Sequence, residues 1–286
     1  LAGNTAEATV RFSVNRFGST FDFNDDVPTM DLVDNYYAQE TENVIIREVN
    51  VNRLTGYTLT VNRDGSNITL VEGEDFRVIS SSIAGGYQYI YEIFPDVFTS
   101  EGTYSIIVQS VDEAGNTNTN STVRTDDGVN DYPVVFAIDK TLPTVSIDEL
   151  DPDDRSNNNF NENTKTFRIS VRDNNAMSRV VVTVDGNVVF DMEGQELAEY
   201  LEEHGGFVEI TLDAASGYQT IKVQAFDGAG NESADTQYQV LVTTNFFVRF
   251  FYNKPLFYGS IIFLILLLLA IAYYIKKRMD KQKKNA

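Results

Sequence analysis

Two short motifs recur at one fixed interval along this chain of 286 residues. Val27-Pro28-Thr29-Met30 returns as Leu142-Pro143-Thr144-Val145, 115 positions later (142 − 27). Asp112-Glu113-Ala114-Gly115-Asn116 returns as Asp227-Gly228-Ala229-Gly230-Asn231, also 115 positions later (227 − 112). An interval of this length is about one domain. The chain is therefore predicted to be an array of similar domains, and such arrays serve mainly to extend or to present other parts of a protein.

The distribution of charge narrows the class of partner. The last eleven residues carry six Lys or Arg and one Asp, whereas the rest of the chain has 16 basic against 41 acidic residues. A surface this acidic repels the phosphate backbone, which argues against nucleic-acid binding. The chain has no Cys, so disulfides, thiol catalysis and Cys-ligated metals are excluded. Disulfide-free extracellular domains are more typical of bacteria than of animals.

A membrane anchor is predicted near the C-terminus. Residues Leu256 to Ile275 are twenty positions without a charged side chain, long enough to cross about 30 Å of hydrocarbon as a helix. Aromatic residues stand on both sides, in the juxtamembrane segment 245–255 and at Tyr273-Tyr274, as in interfacial belts. The basic tail 276–286 follows directly. By the positive-inside rule we expect a single-pass protein of the cell membrane, with a cytoplasmic C-terminus and the preceding residues outside.

The remaining sequence has the pattern of β-strands. Asp64-Gly65 and Asp185-Gly186 each stand between β-rich runs and predict tight hairpins, since both turn positions tolerate positive φ. Before each Asp-x-Ala-Gly-Asn motif lies an alternating run, in which Ile106, Val108 and Ser110 correspond by position to Ile221, Val223 and Ala225. Alternation of this kind buries one face of a strand and leaves the other in water, as in a two-sheet sandwich. One short helix is predicted over Gln195 to Glu203, ending at Gly205-Gly206.

The Asp-x-Ala-Gly-Asn motif has two interpretations. In the structural one it is a turn, with Gly at positive φ and the Asp and Asn side chains capping free amides. In the functional one it is a ligand or metal loop. One carboxylate and one amide are few ligands for a hard cation, which favours the structural interpretation.

The repeat sets the expected domain limits. We expect residues 1–24 to be the end of a preceding repeat and a linker, because a further Ala-Gly-Asn stands at 2–4. Two domains follow, at 25–138 and 139–244, and then the juxtamembrane segment, the helix 256–275 and the tail. The polar stretch Thr117 to Asp131 has no counterpart in the second copy, and is expected to be a variable functional loop or disordered.

The chain resembles the bacterial immunoglobulin-like repeats of large surface proteins. The resemblance is carried by the Asp-x-Ala-Gly-Asn turn after an alternating strand, by Asp139-Lys140-Thr141-Leu142-Pro143-Thr144, and by Val182-Thr183-Val184-Asp185-Gly186. It covers most of the residues from Asp25 to Thr244. It implies two tandem immunoglobulin-like β-sandwiches, all-β apart from the C-terminal transmembrane helix, used as a stalk or as an adhesive module.

Little in the sequence points to catalysis. His204 is the single His, and at a helix end it is expected to contact the free carbonyls there. We therefore expect no enzyme activity, no catalytic residues, no cofactor and no metal ligand in this chain. Calcium at the domain junction is the one chemical alternative, with the acidic run Asp148 to Asp154 near Asp139 as the source of oxygen ligands.

Three functions fit these features. The leading one is a membrane-anchored extracellular stalk that supports adhesion or the display of an N-terminal region of a longer chain. The second is the spacer and anchor of a surface enzyme whose catalytic domain lies upstream. The third is a carbohydrate- or protein-binding module, with the stretch Thr117 to Asp131 and exposed Tyr87, Tyr89 and Tyr91 as contacts, although a packed or cross-strand aromatic row is the favoured explanation of the tyrosines. The expected partners are the membrane, upstream domains, and an extracellular protein or glycan of unknown identity.

Overall fold

The computed structural model describes residues 5, 7–10, 14–16, 18–120, 123–125, 128–130 and 134–284. For 123–125, 128–130 and 280–284 only the backbone is described. The described residues up to Thr141, together with Gly228–Asn231, form one compact unit. The other described residues, Leu142–Asp227 and those from Glu232 onward, form a second.

The first unit is built almost entirely of strands. Its described elements are, in chain order, β1 (Ser19–Asp22), α1 (Val27–Asn35), β2 (Tyr37–Ala38), β3 (Val44–Asn50), β4 (Leu54–Arg63), β5 (Ser66–Thr69), β6 (Phe76–Ile83), β7 (Gly86–Ile93), a 3-10 helix (Pro95–Phe98), β8 (Gly102–Asp112), β9 (Thr117–Thr119), β10 (Val123–Thr125), β11 (Gly128–Asn130) and β12 (Val134–Ile138).

Apart from β10 and β11, which pair with each other, these strands form two sheets around one core. The first sheet has the order β1-β3-β7-β6, and the second has the order β2-β12-β8-β4-β5, with β9 also paired to β8. Side chains from both sheets meet in the core, among them Ile46 of β3, Tyr91 of β7, Leu59 of β4 and Phe136 of β12. A sandwich in which the first, second and fifth main strands oppose the third, sixth and seventh is the immunoglobulin-like arrangement.

The second unit repeats this architecture with fewer strands. Its described elements are β13 (Thr144–Ile147), β14 (Asn159–Phe160), β15 (Thr164–Arg172), β16 (Met177–Val184), β17 (Asn187–Glu193), α2 (Gly194–Glu203), β18 (Phe207–Asp213), β19 (Gln219–Asp227), β20 (Thr236–Val242), α3 (Phe246–Tyr252) and α4 (Lys254–Lys284). One sheet has the order β13-β15-β18 and the other β14-β20-β19-β16-β17. The predicted fold, two immunoglobulin-like sandwiches and a C-terminal helix, is confirmed.

Alternation along the strands explains which residues are inside. Ile221, Val223 and Ala225 of β19 are at most 1% exposed, and Ile106 and Val108 of β8 are equally enclosed. The predicted hairpins also form. Asp64 and Gly65 have φ of 50° and 86° between β4 and β5, and the Asp185-Gly186 turn between β16 and β17 has nearly the same values. Positive φ at both central residues is the geometry of a type I′ turn.

In chain order, helix α2 stands in the second unit where β6 stands in the first. It packs on β16 and β17, with Leu197 fully buried and Tyr200 and Leu201 partly so. It ends at Gly205 and Gly206, whose φ values of 66° and 84° suit glycine. The predicted helix at this position is confirmed.

The first repeated motif has different structures in its two copies. Val27-Pro28-Thr29-Met30 begins α1, where the Asp26 carboxylate accepts a hydrogen bond from the Thr29 amide at 2.9 Å. Leu142-Pro143-Thr144-Val145 instead leads into strand β13. An Asp N-cap followed by Pro in the first turn is a strong helix start, and it explains why the first copy departs from the strand. The two copies of this motif stand 115 positions apart (142 − 27), as do those of the second motif, but they do not have the same structure.

The expected start of the first domain at residue 25 is corrected for the same reason. Strand β1, at Ser19–Asp22, pairs antiparallel with β3 from Ser19 opposite Asn50 to Asp22 opposite Arg47. It corresponds to β13, the first strand of the second sandwich, so the first sandwich begins before α1. Residues 19–24 thus belong to this domain, not to a preceding linker.

Helix α4 leaves large apolar side chains exposed along most of its length. Its stretch Lys254–Met279 is long and apolar enough to cross a membrane. The most apolar 18 residues of this stretch have a mean hydropathy of 2.6, and none of them is buried. The short helix α3 precedes it, capped by Asn245, whose side chain accepts from the amides of Phe247 and Val248. The predicted span, Leu256 to Ile275, lies inside α4.

Candidate functional site

The Asp-x-Ala-Gly-Asn motif of the first copy is a hydrogen-bonded turn between β8 and β9. One carboxylate oxygen of Asp112 accepts the amides of Ala114 and Asn116, each at 2.9 Å, and the other accepts the Asn116 side chain at 2.9 Å. Gly115 has a φ of 85°. These contacts are those of a structural turn in the first copy, the interpretation that the sequence favours, and ligand or metal binding by the motif stays a hypothesis.

The same carboxylate holds two other segments of the first unit. The side-chain amides of Asn15 and Asn50 donate to Asp112 at 3.0 and 3.1 Å. Burial alone would raise the pKa of Asp112, but hydrogen bonds from Asn116, Asn50 and the Ala114 amide outweigh it and hold the pKa below its ordinary value. Asp112 is therefore an ionised cap in the interior of the sandwich.

The Asn of the motif contacts the chain that enters from upstream. Asn116 donates to the carbonyl of Asn15 at 3.3 Å. In the second copy Asn231 donates to the carbonyl of Asp139 at 3.0 Å, and both of these residues belong to the first compact unit. In both copies the Asn side chain of the motif therefore donates a hydrogen bond to a carbonyl earlier in the chain. Sequence spacing alone did not reveal this contact.

A second buried carboxylate was not anticipated from the sequence. Glu48 of β3 is fully buried, and it accepts hydrogen bonds from the hydroxyls of Ser19, Ser110 and Tyr91. Burial raises the pKa of Glu48, although the hydroxyl hydrogen bonds act in the opposite direction. Because Ser110 lies on the opposite sheet from Ser19 and Tyr91, the carboxylate links the two sheets.

The period of β3 does carry a signal for this residue. Val44, Ile46, Glu48 and Asn50 are buried, whereas the residues between them are half-buried. The polar pair therefore continues the apolar face of the strand. An acidic residue at an apolar register position, followed two positions later by Asn, indicates an internal polar network.

The tyrosine row is packed and does not form an exposed contact surface. Tyr91 is 0% and Tyr89 is 9% exposed. The Tyr89 hydroxyl accepts the Leu54 amide at 3.0 Å, and the guanidinium of Arg53 lies over the Tyr87 ring at 5.2 Å. The rings of Tyr89 and Tyr91 are therefore packed, as the favoured explanation of the row predicts, and Tyr87 is half-buried against the same core.

The polar stretch Thr117 to Asp131 begins with the strand β9 and with buried side chains. Asn118 and Asn120 are buried, and Asn120 accepts the Val108 amide at 2.9 Å while donating to the Ile106 carbonyl at 3.0 Å. The backbone of 123–125 pairs with that of 128–130 as the hairpin β10–β11. The remaining part of the expected variable loop, at 121–122, 126–127 and 131, lies outside the described residues.

The acidic run of the second unit forms local turns. Asp151 accepts the amides of Asp153 at 2.8 Å and Asp154 at 3.2 Å. Asp154 accepts the Ser156 amide and hydroxyl, which lower its pKa. Glu149 forms an ion pair with Lys165 at 2.8 Å. Much of the acidic run therefore serves to form turns and a surface ion pair. Calcium binding by this run stays a hypothesis.

His204 lies where the sequence places it, at the end of α2. Its Nδ1 atom is 2.8 Å from the Tyr200 carbonyl, and its ring stacks on that of Tyr200 at a centroid distance of 3.9 Å. The predicted contact with the free carbonyls at a helix end is confirmed.

A cavity of about 730 Å³ lies where the second sandwich meets the start of α4. One wall comes from the loop 153–156 and Tyr218, and the other from residues 251–258 at the junction of α3 and α4. The rings of Tyr218 and Tyr252 meet edge to face at 5.2 Å, and the Arg155 guanidinium lies 5.3 Å from the Tyr218 ring. Arg155 is further held by a 2.7 Å hydrogen bond to Gln239.

Comparison with known proteins adds distant likenesses of structure. No family model and no curated protein sequence matches the chain. Among solved structures, the chain is similar to the fibronectin(III)-like modules of Clostridium thermocellum CbhA, at 16% identity and a TM-score of 0.29, covering 73% of this chain and 88% of that one.

Two further likenesses are of the same degree. A tetra-tandem repeat from the extending region of a large adhesion protein is 16% identical, with a TM-score of 0.30, and covers 79% of this chain and 49% of that one. The Ig1-Ig2 chain of Dpr2, solved in complex with DIP-Theta, is 10% identical, with a TM-score of 0.23, and covers 73% and 93%. Function has to be inferred from this chain's own residues.

Proposed function

We propose that this chain is a membrane-anchored stalk, which holds immunoglobulin-like modules outside the cell membrane in a structural or adhesive role. The observation that carries the proposal is the exposure of α4. Both sandwiches have complete cores of their own, and α4 contributes nothing to either. Large side chains along it, including Phe263, Leu266 and Leu269, are 59–68% exposed.

An apolar helix of this length needs an apolar environment. Burying a Leu, Ile or Phe side chain is worth about 1.5–3 kcal/mol, so leaving a whole helix of them in water is very unfavourable. A bilayer supplies the missing environment along the full length of the helix. The basic residues that follow Ile275 directly support an orientation with the sandwiches outside.

The modules themselves support a passive role. Three polar groups of the sandwiches are engaged in holding the fold: Asp112 caps a turn, Glu48 links two sheets, and His204 closes a helix. In this proposal the chain is not an enzyme, and it supports adhesion or the display of other domains.

Alkaline carbonate extraction of membranes from cells that express the chain tests the anchor. We expect the unmodified chain to stay in the membrane pellet. Replacing Leu266 and Leu268 by Arg should release the chain, because each charge near the bilayer centre costs about 2.5–3.5 kcal/mol. The same positions changed to Ile serve as the matched control and should stay in the pellet. Release of the unmodified chain would contradict the proposal.

A further inference from the structure

The cavity between the second sandwich and α4 combines features that suit one class of ligand. Its position comes first. Lys254, the first residue of α4, and Pro255 line it, so its mouth lies where the helix would enter the bilayer. That level holds the polar headgroups of lipids. The inference rests on the proposed membrane insertion of α4.

The charges in the cavity are balanced. Asp153 and Asp154 line it together with Arg155 and Lys254. Asp154 and Arg155 already hold protein partners, at Ser156 and Gln239. Among the described residues, the side chains of Asp153 and Lys254 make no ion pair or hydrogen bond with one another or with any other group. The cavity thus offers one uncommitted anion and one uncommitted cation.

Aromatic rings form much of the remaining wall. Tyr218, Tyr252, Phe257 and Tyr258 all line the cavity. Ring faces attract cations, including ammonium groups, as the Arg155 side chain over Tyr218 already shows. The Tyr252 hydroxyl lies close to Gly217, where an added Cβ would stand 3.1 Å from it.

We propose that this cavity binds the headgroup of a zwitterionic phospholipid. Its phosphate would lie against Lys254 and Arg155, and its ammonium group against Asp153 and the tyrosine rings. A headgroup with only negative charge would bring its phosphate into a cavity that already contains two carboxylates. Bound in this way, the lipid ties the second sandwich to the membrane surface.

Native mass spectrometry of the full chain, released from detergent with added lipid, tests the proposal. The probes are phosphatidylethanolamine, phosphatidylcholine and phosphatidylglycerol, each at the same concentration. We expect at least one zwitterionic lipid to be retained about tenfold more than phosphatidylglycerol, the ratio that corresponds to one charged hydrogen bond. Equal retention of all three lipids would overturn the proposal.

Matched variants locate the effect. Asp153→Asn combined with Lys254→Gln should abolish the preference, whereas Asp148→Asn combined with Lys277→Gln, outside the cavity, should keep it. An unchanged preference in the first variant would also overturn the proposal. Circular dichroism of each variant shows that it remains folded. Carbonate extraction of the same variants separates the two hypotheses: an inserted chain without lipid preference contradicts only this inference, whereas a chain that does not insert contradicts the anchor.

Discussion

Two buried carboxylates of the first sandwich have opposite environments within one polar network. Asp112 receives amide donors, which stabilise its charge, and its pKa is lowered. Glu48 receives three hydroxyls in a drier position, and its pKa is raised. Asn50 joins them by donating to Ser19 at 2.8 Å and to Asp112 at 3.1 Å. Such networks favour one packing of the two sheets, because any other leaves buried polar groups without partners.

Glu48 should give the first sandwich a measurable dependence on pH. A carboxyl whose folded pKa lies above its ordinary value of 4.5 binds its proton more tightly in the folded state. Its stabilising contribution is therefore complete below that ordinary value and is lost as the pH rises through the folded pKa. We expect Glu48→Gln to remove this fall in stability, as measured by amide hydrogen exchange of β3 and β8 peptides in the full chain at acidic and neutral pH.

The variant Glu48→Ala tests whether the first sandwich needs a hydrogen-bond acceptor at this position. Glu48→Ala leaves three buried hydroxyls without their acceptor and should destabilise the first sandwich, at about 1–3 kcal/mol for each group left unpaired. Glu74→Ala, at an exposed position, should leave exchange in the same peptides unchanged. A Glu48→Gln chain with the same pH dependence as the original would show that this carboxyl is not the group that titrates.

At the scale of elements, turns and strands follow closely from local sequence. The Asp-Gly hairpins, the alternating strands before each Asp-x-Ala-Gly-Asn motif, and α2 with its glycine stop all occur where their residues predict them. Local chemistry determines them, because a positive φ or a period of two needs no distant partner. Helix α1 shows the limit. Asp26 and Pro28 start a helix at a motif whose second copy enters a strand.

The residues that sequence reasoning missed depend on pairing across the fold. The place of β1 in the first sheet rests on its register with β3, whose partner residues stand 25 (47 − 22) to 31 (50 − 19) positions further along the chain. The Glu48 network joins Ser19 to Ser110. No local pattern near Ser19 shows that an acid will lie beside it. The tyrosine row of β7 shows the same limit, since alternation identifies residues that share a face but not whether that face is buried.

The turn at Gly115 offers a test that isolates backbone conformation. Gly115 has a φ of 85°, and a Cβ added there would meet nothing within 4 Å. Gly115→Ala should therefore cost only the left-handed strain, about 1–2 kcal/mol. Gly56, in β4, also has open space but no positive φ, so Gly56→Ala should cost nothing. Hydrogen exchange of β8 peptides compares the two, and equal effects would contradict the assigned role of the turn.

At the scale of the whole molecule, the two sandwiches and α4 differ in whether their apolar side chains are buried. Two sandwiches bury their own cores, and α4 leaves its apolar surface open along its length. The aromatic residues of α3 stand at the boundary, with Phe246 and Phe247 70% and 79% exposed. In the proposed orientation the basic tail lies on the cytoplasmic side of the bilayer and the sandwiches lie outside.

The direction of the chain in the membrane is the most direct test of this account. Because the chain has no Cys, single cysteines can be introduced without background. Ser81→Cys, exposed on β6, should react with a membrane-impermeant maleimide on intact cells, whereas Met279→Cys, at the far end of α4, should react only after lysis. Labelling of Met279→Cys on intact cells, with Ser81→Cys protected until lysis, would contradict the proposed extracellular stalk.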